Sequence, residues 1–254
     1  MEFSGIPLKK LRAAFFDFTS CEGCQLQILN HEKNLPDFLS LIEIVNFREI
    51  SSDKRDDYEI AFIEGAVSRK DQIDRLKDIR KKAKLVVSLG TCACYGGVNA
   101  IKNNFSIESM VDEVYKENKP ETIPVQKISE IISVDLEIPG CPVSKIELEY
   151  IILCLALGSV IEKKKYPVCI ECKQNMNHCF IDKGSLCFGA ITRAGCDSIC
   201  VNGGLPCYGC RGPSASVNWM SLKNILIDKG ITEEEILEKL SLFNSLNEVI
   251  KDEN

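Results

Sequence analysis

The residues of this sequence that can carry chemistry are its cysteines, 14 among 254 residues, beside only two histidines. Thiolate sulfur is the ligand that holds iron–sulfur clusters and many structural zinc ions. Residues 1–10 have no apolar core and no twin-arginine pair, so we predict a cytoplasmic protein without an export signal. Because stable disulfides are rare in that reducing compartment, the cysteine content indicates metal ligation.

In the first part of the chain, four cysteines come just after segments that are predicted to be strands. They are Cys21 and Cys24 in TSCEGCQ, Cys92 in GTCACYGG and Cys141 in IPGCP. Because the carboxyl ends of parallel strands lie along one edge of an open sheet, we expect these thiols to converge there. Four thiolates suffice for one 4Fe–4S cluster.

Three neighbouring observations leave alternatives open. Cys94 lies two residues after Cys92 and is an alternative ligand, although Cys92 is closer to the predicted strand. The pair Cys21 and Cys24 alone also fits a redox-active C-x-x-C motif, which would leave the other thiols unexplained. Cys154 lies in the apolar run IILCLAL and is predicted to be a small buried hydrophobe.

Two acidic residues accompany these thiols. Glu64, in IEGAVS, also lies just past a predicted strand, where its carboxylate can support the site or carry protons. The alternative is a solvated loop carboxylate. Glu22, inside the C-x-x-C motif, is a second candidate for the proton or supporting role. We predict no catalytic residue in this chain.

The other eight metal-site candidates lie close together between positions 169 and 210 and divide into two sets of four. One set is Cys169, Cys172, Cys179 and Cys187, and the other is Cys196, Cys200, Cys207 and Cys210. Each set contains one C-x-x-C pair and two further cysteines a short loop away, so one compact loop can wrap a cluster. Two closed zinc sites are the alternative, and His178 is an alternative ligand to Cys179.

The elements that must position these cysteines follow from hydrophobic periodicity. Short apolar runs predict strands at 11–18, 43–47, 58–63, 84–89 and 135–138. Helical patterns lie at 68–83, with Ser68 as N-cap, and at 142–157, with Pro142 in the first turn. Alternating strands and helices predict an α/β fold, a flavodoxin-like doubly wound parallel sheet, over residues 1–165.

Residues 166–254 have a different composition. Cysteine, glycine and proline dominate residues 166–213, which we predict to be an irregular segment without regular apolar periodicity. A C-terminal amphipathic helix follows at 232–250, with Thr232 and Glu235 as its capping box. Trp219 is predicted to contact a loop or an interface.

Charge and hydropathy exclude two classes of function. A formal net charge of −6 argues against sequence-independent binding of nucleic acid. No apolar run reaches the roughly 18 residues of a membrane span. The basic residues are predicted to form a solvated face that can guide an acidic partner. They are Lys163, Lys164, Lys165 and Arg211.

Over most of residues 11–213 the sequence resembles the small subunit of nickel–iron hydrogenases. The resemblance rests on FFDFTSCEGCQLQ, EGAVS, GTCACYGG, IPGCP and PCYGCRGP. It is closest to the cytoplasmic multi-subunit group, which includes sulfhydrogenase delta subunits and viologen-reducing hydrogenase small subunits. The N-terminal part also resembles the cluster-bearing 20 kDa subunit of respiratory complex I, which lacks the eight-cysteine segment.

The resemblance implies a role for each set of cysteines. Cys21, Cys24, Cys92 and Cys141 would hold a proximal 4Fe–4S cluster; Cys196, Cys200, Cys207 and Cys210 a medial one; and Cys169, Cys172, Cys179 and Cys187 a distal one. The nickel–iron centre would belong to a large-subunit partner. A diaphorase or ferredoxin-like subunit would be the redox partner.

The alternatives to this function are a relay subunit of a complex I-like or hydrogenase-derived assembly without hydrogen activity, and a zinc-stapled interaction module.

Overall fold

The computed structural model of the chain describes residues 2–3, 6–7, 10–30, 36, 40–52, 54–117 and 119–244. The chain divides into two compact units, Met1–Glu162 and Lys163–Asn254. In the first unit the strands are β1 (Glu2–Phe3), β2 (Ile6–Pro7), β3 (Leu11–Asp17), β4 (Ile42–Phe47), β5 (Ile60–Glu64), β6 (Leu85–Leu89) and β7 (Leu136–Ile138). The described helices of this unit include α1 (Gly23–Leu29), α2 (Lys70–Lys82), α3 (Gly90–Tyr95), α4 (Ile107–Tyr115) and α5 (Lys145–Leu157), and 3-10 turns lie at Gly97–Asn104 and Ile128–Glu130.

Five of the strands form one sheet in the order β4-β3-β5-β6-β7, and every neighbouring pair in it is parallel. This is the flavodoxin-like order, in which the chain winds first to one side of β3 and then to the other. The α/β fold class and all five strand predictions are confirmed. The strands β1 and β2 form a separate antiparallel pair.

Apolar side chains cover both faces of the sheet. Successive residues of a strand point to opposite faces, so Phe15 belongs to one hydrophobic cluster and Phe16 to the other. The first cluster includes Ile151 of α5, and the second includes Leu76 of α2. Burial on both faces explains why β5 is fully buried, as expected for a strand of a parallel sheet.

Two helix starts differ from the prediction. The N-cap of α2 is Arg69, not Ser68, because the Ser68 hydroxyl bonds the Thr19 hydroxyl at 2.6 Å and not the helix backbone. Helix α5 starts at Lys145 behind Ser144, whose hydroxyl accepts from the N–H of Glu147. Pro142 therefore lies outside α5.

The second unit has more regular structure than its composition predicts. Its described helices include α6 (Val168–Gln174), α7 (Ile199–Asn202), α8 (Trp219–Asp228) and α9 (Glu233–Ser241). The first two lie within the segment that we predicted to be irregular. The Thr232–Glu235 capping box of α9 is confirmed, but the helix ends at Ser241, so the predicted extent to residue 250 is wrong for the described residues 242–244, which form a turn. Residues 245–250 of the predicted helix lie outside the described residues.

Two residues of this unit are placed differently from expectation. Trp219 begins α8 and packs into a core that includes Phe188, Leu226 and Leu240. Arg211, predicted on a solvated face, is only 1% exposed, because its guanidinium donates hydrogen bonds to backbone carbonyls inside the unit. None of the helices within the described residues combines the length and the hydropathy of a membrane span.

Candidate metal centres

The edge set is the group of four thiols that follow strands, namely Cys21, Cys24, Cys92 and Cys141. Cys21 and Cys24 follow β3, Cys92 follows β6, and Cys141 follows β7, so all four lie beyond the carboxyl ends of parallel strands. The loops that carry Cys92 and Cys141 are joined directly. Thr91 N–H donates to the Gly140 carbonyl at 3.0 Å, and Gly140 N–H donates to the Thr91 hydroxyl at 3.2 Å.

The edge-set thiols affect one another electrostatically. Burial, followed by the charges of Cys141, Cys21 and Glu64, raises the pKa of Cys92 to about 12. The pKa of Cys24 is also raised far above its usual range, first by burial and then by Glu64, with Cys92 and Cys141 contributing in the same direction. Burial and neighbouring negative charge both disfavour the thiolate form, whereas a coordinating metal deprotonates a thiol outright.

Two glycines allow the backbone to pass close to these sulfurs. A Cβ on Gly90 would lie 2.4 Å from the Cys24 Sγ, and a Cβ on Gly97 would lie 2.7 Å from the Cys92 Sγ. Both glycines have positive φ, at +88° and +61°. Backbone therefore approaches the thiols more closely than any other residue type would allow.

Glu64 is buried at the same edge. Its side chain is 2% exposed, and its two carboxylate oxygens accept hydrogen bonds from the N–H groups of Cys24 and Gln25, at 3.0 and 2.9 Å. Burial raises its pKa, while these two hydrogen bonds act in the opposite direction. The solvated-loop alternative is therefore wrong, and the carboxylate positions the first turn of α1.

The other candidates near the edge set face elsewhere. Cys94 is 2% exposed, and its Sγ donates to the Ser88 carbonyl at 3.6 Å inside the chain. Cys154 is 7% exposed within α5, as predicted. Glu22, at a positive φ of 61°, forms an ion pair with Arg48.

In the second unit, the helix set is Cys169, Cys172, Cys179 and Cys187. Cys169 and Cys172 share one face of α6, three residues apart. Burial, then Cys187, Cys172 and Cys179, raises the pKa of Cys169 to about 11. Cys179 thus lies close enough to Cys169 to act on its pKa, while His178 is exposed.

The loop set is Cys196, Cys200, Cys207 and Cys210. Burial, then Cys187 and Cys210, raises the pKa of Cys207. The largest influences on the pKa of Cys196 are burial, which raises it, Arg211, which lowers it, and Glu171, which raises it. The helix and loop sets adjoin, because the N–H of Cys207 donates to the Cys187 Sγ at 3.3 Å.

The donor chemistry fits iron–sulfur clusters. None of the fourteen cysteines, all of which lie in the described part of the chain, forms a disulfide. Among the described residues, no three His, Cys, Asp or Glu side chains converge closely enough to hold one metal ion. Glycine backbone lies beside the sulfurs of Cys24, Cys92, Cys169 and Cys187, where it places no side chain against them.

Sequence comparison finds relatives along nearly the whole chain. Residues 21–155 match the family model described as NADH ubiquinone oxidoreductase, 20 Kd subunit. Sulfhydrogenase 2 subunit delta of Pyrococcus furiosus is 34% identical, over 92% of this chain and 99% of the relative. One of the subunits of the vhu F420-non-reducing hydrogenase of Methanocaldococcus jannaschii is 30% identical, over 92% of this chain and 93% of the relative.

Solved structures share the fold. A chain of an NAD+-reducing NiFe hydrogenase has a TM-score of 0.56 and 24% identity, over 61% of this chain and 95% of that chain. A chain of the NiFeSe hydrogenase of Dm. baculatum has a TM-score of 0.57 and 16% identity, over 81% of this chain and 95% of that chain. At these identities the likeness concerns the fold.

Proposed function

Since the chain belongs to the family that unites hydrogenase small subunits with the 20 Kd subunit of NADH ubiquinone oxidoreductase, we propose that it passes electrons between a nickel–iron large subunit and a redox partner. Three 4Fe–4S clusters form the path, held by the edge, loop and helix sets of cysteines. Each bound cluster supplies one-electron redox chemistry. The protein sets the spacing, the exposure and the hydrogen bonding of the clusters.

The common location of the edge set at one edge of the sheet carries this proposal. Three segments far apart in sequence bring thiols to one sheet edge, next to the position between β3 and β5 where the winding direction changes. Ligands of open α/β sheets bind at this position. Glu64 orients Cys24 through its backbone N–H, and the lack of a Cβ at Gly90 and Gly97 leaves the neighbouring sulfurs clear of side-chain atoms. These residues hold a proximal cluster and shield it from water.

The large-subunit partner covers the edge set. Cys24 is buried, whereas Cys21 and Cys141 are exposed, so one side of this site is open in the chain by itself. A cluster there would be accessible to water and oxidants unless another chain closed it. We assign that closure to the large subunit, with the diaphorase or ferredoxin-like partner near the helix set. The cytoplasmic location stays a prediction.

Metal analysis of the native complex tests the proposal. The full chain, tagged in its own host and isolated without oxygen, is expected to carry about twelve iron and about twelve acid-labile sulfide, four of each per cluster. A nickel-containing large subunit is expected to co-purify. Iron near zero with zinc bound in its place would overturn the cluster assignment and favour the zinc-stapled module.

A second candidate is a relay subunit of a complex I-like assembly without hydrogen activity. It is favoured by the match of residues 21–155 to the 20 Kd subunit family. The same purification separates the two functions. Twelve iron with a nickel-free partner and no hydrogen uptake supports the second candidate, and a nickel-containing partner with hydrogen-dependent dye reduction supports the first.

A further inference from the structure

Arg211 is among the most buried side chains of the second unit. It follows Cys210 directly and is 1% exposed. Its Nε donates hydrogen bonds to the carbonyls of Ala194 at 3.1 Å and Arg193 at 3.3 Å. Arginine is rarely buried unless a neighbouring anion or anionic group benefits from its charge.

Glu171 is a buried charge of the opposite sign that reaches the same segment. It lies on α6 between two cysteines of the helix set and is 2% exposed. Its Oε1 accepts hydrogen bonds from the N–H of Gly195 at 2.9 Å and from the Lys164 Nζ at 2.7 Å. Its Oε2 is buried and has no hydrogen-bond partner within the described residues.

The two charges meet at the backbone that leads into Cys196. Arg211 binds the carbonyls of residues 193 and 194, and Glu171 binds the N–H of residue 195. The buried guanidinium and the buried carboxylate are thus both held by hydrogen bonds to the three residues directly before the Cys196 ligand. A reduced cluster carries one more negative charge than an oxidised one, so two charges of opposite sign act on its reduction in opposite directions.

We propose that Arg211 and Glu171 are opposed positioning charges that set the reduction potential of the cluster held by Cys196, with Arg211 raising the potential and Glu171 lowering it. The inference rests on the proposed function, in which the loop set holds a cluster. Reduction adds one electron, delivered by a neighbouring cluster, and neither forms nor breaks a bond. In a low-dielectric interior a nearby cation stabilises the added negative charge, and a nearby anion destabilises it.

A redox titration followed by electron paramagnetic resonance tests this pair in the full chain, isolated without oxygen with its native complex. The signal that Cys200→Ser alters identifies the loop-set cluster. Arg211→Gln is expected to shift its midpoint to a more negative potential, and Glu171→Gln to a more positive one. Arg211→Lys, which keeps the charge, is expected to shift it less than Arg211→Gln.

Lys173→Gln is the matched control. Lys173 is an exposed residue of α6, and its charge acts on the thiols of Cys169 and Cys172. Removing it should leave the loop-set midpoint unchanged. A purely structural role for the buried pair would change cluster content in both variants without shifts of opposite sign.

The outcomes separate this inference from the proposed function. A wild-type chain without a signal that responds to Cys200→Ser overturns the proposed function. The inference alone is overturned if the wild-type signal is normal and the loop-set midpoint of both Gln variants either equals the wild-type value or shifts in the same direction. If Arg211→Gln does not assemble the cluster, the Glu171→Gln titration decides, and the absence of a positive shift overturns the inference.

Discussion

Cys92 and Cys94 are separated by one residue but have different surroundings. Cys92 is half-buried, and its thiol is affected by Cys21 and Cys141 of the edge set. Cys94 is 2% exposed and donates to a backbone carbonyl in the interior. In the helix α3, residues two apart point to different sides, so only one of the two can face the sheet edge.

The first prediction compares alanine variants at these two positions. Cys92→Ala should lose about four iron and about four sulfide per chain, because a 4Fe–4S cluster lacks one of its four ligands. Cys94→Ala should keep all of its iron and lose about 1 kcal/mol of stability through a small cavity. Iron and sulfide analysis of both variants checks this, and equal loss would show that the assignment of Cys92 over Cys94 is wrong.

Two glycines with positive φ allow an equally direct comparison. Gly90 has φ +88°, and a Cβ there would lie 2.4 Å from the Cys24 Sγ. Gly158 has φ +65° at the end of α5, with nothing within 4 Å of its Cβ position. Both carry the conformational strain of a left-handed residue, about 1 kcal/mol when alanine is introduced.

The second prediction is that only Gly90→Ala disturbs a cluster. The new methyl group must displace the Cys24 sulfur, so proximal-cluster iron and its paramagnetic signal should fall strongly. Gly158→Ala should lower the melting temperature slightly and leave iron content unchanged. A Gly90→Ala chain with full iron would show that this backbone approach is not needed for the site.

At the scale of elements, α1 starts without a local cap. Its N-cap residue Glu22 makes no side-chain capping hydrogen bond. Glu64, at the end of β5, accepts instead from the N–H groups of Cys24 and Gln25 in the first turn. A carboxylate at a helix N-terminus also interacts favourably with the helix dipole. The strand thus orients the helix that carries two edge-set thiols.

The third prediction concerns this cap. Glu64→Gln leaves one acceptor oxygen for two N–H groups, and the loss of one buried hydrogen bond costs about 1–3 kcal/mol. Amide hydrogen exchange at Cys24 and Gln25 should become about tenfold faster or more. Glu43→Gln is the control. It removes a carboxylate of β4 that forms an ion pair with Arg55, and it should leave the exchange rates of these amides unchanged. Unchanged exchange in both variants would contradict the capping role.

At the scale of the whole molecule, the two units differ in how they bury apolar surface. The first has a sheet covered on both faces by two hydrophobic clusters. The second has one main cluster around Trp219 and Leu226, with a smaller one that includes Val168, Cys187 and Cys207. Small units with limited cores commonly depend on bound metal for their folded state.

The fourth prediction follows from this difference. Removal of iron by chelation without oxygen should unfold residues 166–213 first, while the amides of β3, β5 and β6 stay protected. Hydrogen exchange with mass spectrometry, or limited proteolysis, measures the order. Equal protection of both regions after complete iron loss would show that the second unit folds without its clusters.

The sequence by itself determined the parallel sheet and indicated thiolate ligation. Cysteine number and spacing indicated three sets of thiols, and the apolar runs predicted all five strands of the parallel sheet. Both are local properties, because hydrophobic periodicity and C-x-x-C spacing are read within a few residues. Helix α8 was not predicted, and Trp219 was expected only to contact a loop or an interface. The packing partners of this helix lie in α9 and around Phe188, outside its own sequence window.

Only the tertiary structure decided which polar groups are buried and which thiols face one another. Glu64 and Arg211 are residue types that usually lie at the surface. Each is buried here because backbone groups from distant segments form hydrogen bonds with its charged side chain. Position after the strand favoured Cys92 over Cys94, and the fold adds that Cys141 acts on the Cys92 thiol while the Cys94 thiol donates to a carbonyl in the interior. Desolvation and charge coupling depend on three-dimensional distance, which a one-dimensional pattern does not contain.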